Sequence, residues 1–222
     1  MKLRTSIGVT AVALSALAGS ATAAPKPVCN IIVDAAGDDT LVATPSDSSV
    51  DLVSGDVASD AKTLTAVIRV SKLANPNPRA PFGQSYFMVF NVKGSPDPLY
   101  VSAGLYPTGN EFLYGYQGVD PTNGINTSYK LGEATGNVDL DKSELRIHVP
   151  LAAFASRAKL PKGAKLSGLI AEGRVLIGQR LVPSQAVGPS PRIPLGGLTA
   201  TVDTAEGKSY ILGTPSCVAV GK

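Results

Sequence analysis

The chain has no tryptophan, a single histidine, and one methionine besides the initiator. One histidine without a Gly-x-Ser-x-Gly elbow leaves a serine or cysteine triad unsupported. The same scarcity denies zinc its usual His and Cys ligands. Charge of one sign is also missing. Lys and Arg number 20 against 17 Asp and Glu, and setting aside Lys2 and Arg4 at the N-terminus leaves 18. No run of basic residues gathers a field that would hold nucleic acid or an anionic membrane surface. Nor does any stretch approach the ~20 apolar residues that a spanning helix requires.

What is present begins with an address. Lys2 and Arg4 precede an apolar stretch over 7–18, and the small residues Ala21, Thr22, Ala23 and Ala24 lead to Pro25. This three-part layout predicts a cleaved export signal over 1–24 and a released product starting near Ala24 or Pro25. There is no twin arginine, and Cys29 lacks a lipoprotein context. Cys29 and Cys217, almost at the two ends of the mature chain, are the cysteine complement. An even count in an exported chain predicts a disulfide joining the termini, with two separate buried thiols as the alternative. Closing a ring of that length contributes on the order of 5 kcal/mol as an upper figure.

The remainder, 25–222, reads as one β domain. Residues 63–70 alternate, with Leu64, Ala66, Ile68 and Val70 on a buried side and Thr63, Thr65, Val67 and Arg69 opposite. Residues 86–92 are apolar on both sides, as in a central strand. Further strands are predicted at 30–33, 50–54, 99–105, 111–116, 127–131, 137–140, 145–149, 166–177 and 198–202. Turns rich in Pro, Gly, Asn and Asp separate them. Short strands at this spacing predict an all-β fold, a two-sheet antiparallel sandwich of Ig-like or jelly-roll-like type. The one helix expected is short, near 150–155, with Pro150 opening it.

Asp34-Ala35-Ala36-Gly37-Asp38, then Asp51-Leu52, Asp60, the strand over 64–70, a Tyr/Phe-rich strand and Ile147-His148-Val149-Pro150-Leu151-Ala152-Ala153-Phe154 form a recognisable order, followed by Leu166-Ser167-Gly168-Leu169. Together they resemble the secreted β-sandwich domains related to family-nine carbohydrate-binding modules and DOMON domains. The resemblance implies a sandwich over most of the mature chain that binds sugar in some members and haem in others. The sugar-binding members typically clamp their ligand between tryptophans, and this chain has none.

Three groups of residues are candidates for chemistry. Asp34, Asp38, Asp39 and Asp51 surround Gly37 and offer the oxygen ligands that a structural calcium needs; the plainer reading is a set of turn residues. The resemblance also implies structural calcium near the start of such domains. Tyr114 and Tyr116, with Phe112 on the same side of a strand and Tyr106 before it, supply either faces for stacking on a sugar or core side chains. Met88 and His148 match the axial pair of haem-binding DOMON domains. Alternation, however, puts His148 on a rim and makes Met88 core filler, so haem is not expected. Paired carboxylates for glycoside hydrolysis among Glu111, Asp120, Asp139 and Glu144 have no spacing that selects a pair. The expectation is therefore an extracellular, non-catalytic binding module for a glycan or cell-wall polymer, with no nucleic-acid or membrane partner. The alternatives are a structural or protein-interaction domain without a small-molecule ligand and, ranked below it, a haem-binding domain through Met88 and His148.

Overall fold

Turns with Gly or Pro over 93–98 and 107–109 close two strand pairs, while Asp60-Ala61-Lys62 and Leu140-Asp141-Lys142-Ser143 close two more without either residue. The structure is a computed structural model, and it describes residues 26–39, 47–121, 124–177, 193–194 and 199–221. The export signal expected over 1–24 lies outside the described residues.

Thirteen strands are described. They are β1 (Ile32–Val33), β2 (Leu52–Ser59), β3 (Thr63–Val70), β4 (Gln84–Val92), β5 (Leu99–Tyr106), β6 (Gly109–Val119) and β7 (Asn126–Glu133). The chain continues through β8 (Thr135–Asp139), β9 (Glu144–Pro150), β10 (Lys165–Leu176), β11 (Ile193–Pro194), β12 (Thr199–Glu206) and β13 (Tyr210–Ile211). A single 3-10 turn, Leu151–Phe154, is the expected short helix, and it buries Leu151 and Phe154.

Two antiparallel sheets pack face to face, the predicted sandwich. The small sheet has the order β1-β2-β3-β9-β8, and the large one β11-β7-β6-β5-β4-β10-β12, with β13 also on β10. The chain crosses between them from β3 to β4, from β9 to β10 and at Ala134, where β7 runs into β8 and the Ala134 N–H donates to the Phe112 carbonyl at 2.8 Å. A single apolar core fills the gap, contributed by Leu64, Ile68, Leu145 and Ile147 from one side and Tyr86, Met88, Phe90 and Val101 from the other. Each such side chain, fully buried, contributes about 1.5–3 kcal/mol.

Strand β4 is central, between β10 and β5, and is buried on both faces as its sequence predicts. Strand β3 departs from its alternating pattern. Its outward residues Thr65 and Val67 are as buried as its inward ones. The cause is the C-terminal segment, whose Val218 and Val220 pack on Ala58 and Val67. That segment is held by the expected disulfide between Cys29 and Cys217, with Cα atoms 5.2 Å apart. The Val28 N–H to Pro215 carbonyl bond at 2.9 Å and the Cys217 N–H to Val28 carbonyl bond at 3.2 Å hold it further. Among the described residues, no helix is long and apolar enough to cross a membrane.

Candidate functional site

Alternation decides which residues leave the core and face outward from the large sheet. On β4 these are Ser85, Phe87 and Val89, and on β10 their partners Arg174, Glu172 and Ile170. On β5 Tyr100 and Ser102 face the same way, and Phe87, Val89 and Tyr100 form an apolar cluster separate from the main core. On β6 and β7 the registered pair Gln117 and Ser128 continues this face.

A cleft of about 150 Å³ opens on this face, lined by Gln117, Asn126, Thr127, Ser128, Glu172 and Arg174. The guanidinium of Arg174 is fixed from two directions. Its Nε donates to Glu172 Oε2 at 2.9 Å and its Nη2 to the same oxygen, while its central carbon lies 4.1 Å from the Phe87 ring centroid. Phe87 in turn leans on Tyr100, with centroids 5.2 Å apart. The Tyr100 ring lies across Gly115, where an added Cβ would come within 2.6 Å of its hydroxyl and would overlap the Tyr129 carbonyl. Only glycine leaves room there. The Tyr100 hydroxyl is buried without a hydrogen-bond partner, and burial pushes it well above the ordinary phenol range. The arrangement offers hydroxyl and amide groups that both donate and accept, with one tied ion pair beside them.

The tyrosines singled out by sequence do not share a surface. Tyr116 is buried in the core, stacked on Tyr129 at 5.0 Å, with the Arg157 guanidinium 3.5 Å from its ring centroid. Tyr114 also points inward, edge-on to Phe154 at 5.2 Å. Tyr106 faces outward and lies flat against Gly83 and Gly104, where an added Cβ would collide with its ring.

The acidic group is partly assembled and partly dispersed. Asp34 and Asp38 come together with Asp203 of β12, one carboxylate oxygen from each lying within 4.8 Å of the others. Asp51 instead anchors the loop: both of its oxygens accept the Gly37 N–H at 2.9 Å, and the Ser71 hydroxyl also donates to it. Asp39 accepts the Asp47 N–H at 2.7 Å. Asp203, which sequence reasoning missed, accepts the Leu52 N–H at 2.6 Å and the Thr204 N–H at 2.7 Å. Burial pushes its carboxyl up to about 6; the two N–H bonds oppose that, and the charges of Asp34 and Asp38 add to it. Asp34 is raised as well, by burial foremost, with its Ala35 N–H bond opposing and Asp38 and Asp51 adding. One oxygen of Asp34 is buried and unpartnered. Such a group can relieve its repulsion by taking up a proton or a hard cation.

Met88 and His148 are not brought together. Met88 is fully buried between the sheets. His148 lies on the outward face of the small sheet, its Nδ1 3.0 Å from the Thr65 hydroxyl. Comparison of the chain with protein-family models, with curated proteins and with solved structures finds no match in any of the three.

Proposed function

We propose that this protein is an exported, non-catalytic binding module that holds a glycan or cell-wall polymer in the cleft on the outward face of the large sheet. The observation that carries the reading is the convergence of Gln117, Asn126, Thr127, Ser128, Glu172 and Arg174 from three strands on one cleft. Sugar hydroxyls both donate and accept, and amide, hydroxyl and paired charged side chains answer both roles. At about 150 Å³ the cleft is smaller than the ~300–1,000 Å³ of pockets that enclose a whole small ligand. It therefore grips one unit of a longer chain. The leader-like N-terminus and the disulfide support export, and the resemblance to family-nine carbohydrate-binding modules supports the ligand class. In the same reading Asp34, Asp38 and Asp203 hold a structural calcium, for which the buried, unpartnered oxygen of Asp34 is the supporting feature.

A protein partner is the second reading. Val119 and Ile125, 61% and 62% exposed at the end of the β6–β7 hairpin beside the cleft, favour it.

Retention of the mature protein on insoluble chitin, cellulose, xylan and peptidoglycan tests the proposal, with a Gln117→Ala/Ser128→Ala variant of unchanged melting temperature as control. Retention that the double variant loses is expected. No retention on any of the four polymers moves the assignment to the protein-partner reading.

A further inference from the structure

The two charged residues that line the cleft are paired with each other. Arg174 spends Nε and Nη2 on a single oxygen of Glu172, and the Phe87 ring covers one face of its guanidinium. This leaves Arg174 Nη1 and Glu172 Oε1 as a cationic donor and an anionic acceptor on one strand. The nearby Lys130 is engaged with Glu133 at 3.3 Å. The other four lining residues, Gln117, Asn126, Thr127 and Ser128, carry amides or hydroxyls and no charge.

We propose that the cleft selects an uncharged, hydroxyl-rich unit, a neutral pyranose, over uronates and over amino sugars with free amines. The inference rests on the glycan reading above and specifies its substrate class. A pair of neighbouring hydroxyls satisfies both free atoms at once, one hydroxyl donating to Glu172 Oε1 and the other accepting from Arg174 Nη1. A carboxylate on the ligand that accepts from Arg174 Nη1 is brought beside the Glu172 carboxylate, whose charge already answers the guanidinium, and meets its repulsion unless Glu172 is displaced and left without its partner. An ammonium meets the converse difficulty with Arg174. Breaking such a pair costs more than a new one returns, because the displaced charge is left desolvated. The half-buried positions of both side chains, 16% and 17% exposed, make that penalty count.

Isothermal titration of the mature protein tests this with cellotetraose, xylotetraose and tetra-N-acetylchitotetraose as neutral probes, tetragalacturonate as the anionic one and the glucosamine tetramer as the cationic one. At least one neutral probe is expected to bind, with affinity unchanged between low and high salt because no net charge is neutralised. The charged probes are expected to bind at least about tenfold more weakly. Glu172→Gln and Arg174→Gln, each checked for an unchanged melting temperature, are expected to lower the neutral affinity. A preference for either charged probe, or an affinity that collapses in salt, overturns the selectivity and leaves the glycan reading standing. Silence from all five probes overturns it too; if the insoluble polymers also fail to retain the protein, the glycan reading falls with it.

Discussion

The hydroxyl of Thr65 lies 3.0 Å from Nδ1 of His148 across the β3–β9 pair, and the same oxygen accepts the Gly221 N–H at 3.1 Å. With the imidazole neutral and its proton on Nε2, Thr65 donates to Nδ1, and with the proton on Nδ1 the ring donates to Thr65; in both cases the Thr65 oxygen accepts from Gly221. Burial first, and then the neighbouring Arg146, lower the His148 pKa from its ordinary value. A base held neutral by folding binds fewer protons in the folded than in the unfolded chain, so it costs stability as pH falls through the unfolded value of about 6.5. Melting temperatures measured from pH 8 to pH 5 should therefore carry a falling component that His148→Gln removes. A His148→Gln profile parallel to the wild type would show that the imidazole takes up its proton alike in the folded and the unfolded chain.

Asp203 acts with the opposite sign. Its folded pKa of about 6 lies above the unfolded carboxylate value, so this group favours the folded state increasingly as pH falls from about 6 toward about 4. Asp38→Asn removes one of the repelling charges and should flatten that component. Millimolar calcium at neutral pH should raise the melting temperature of the wild type and do so less in Asp38→Asn, because an ion bound only by the folded state stabilises it. Equal melting curves in calcium and in chelator would remove the calcium position.

Replacing both cysteines by serine should loosen the C-terminal segment first. Val218 and Val220 cover Ala58 and Val67, and the disulfide is the covalent tie that holds them there. A loss of about 2–5 kcal/mol is expected in denaturant titration, together with early proteolytic trimming near the C-terminus. Identical protease patterns for wild type and variant would show that packing alone fixes the segment.

Tyr100→Phe should stabilise the protein. The hydroxyl is buried without a partner, so removing it relieves a desolvation cost of about 1–3 kcal/mol while the ring contact with Phe87 stays. A lower melting temperature for the variant would mean that an ordered water satisfies the hydroxyl.

Much of the architecture was legible because it depends on local pattern. The alternation over 63–70, the doubly apolar run over 86–92 and the proline at 150 each marked an element that the structure contains. Strand ends were less legible: β6 runs from Gly109 to Val119, well beyond its apolar centre, because pairing with β5 and β7 continues through polar residues. β13 was not foreseen, as a two-residue strand has no periodicity of its own.

The sequence by itself determined the class of the fold, the pairing of Cys29 with Cys217 and the burial of Met88, since each follows from composition or from short-range alternation. Tertiary structure alone decided the faces and the partners. Tyr114 and Tyr116 turned inward and Tyr106 outward because strand register assigns every side chain to one face or the other. Asp203 joined Asp34 and Asp38 from the far end of the chain because β12 closes the large sheet beside β1, a proximity that no local signal encodes. Gln117 and Arg174 came to line one cleft for the same reason: β4 and β5 lie between them and set the distance at which they face each other.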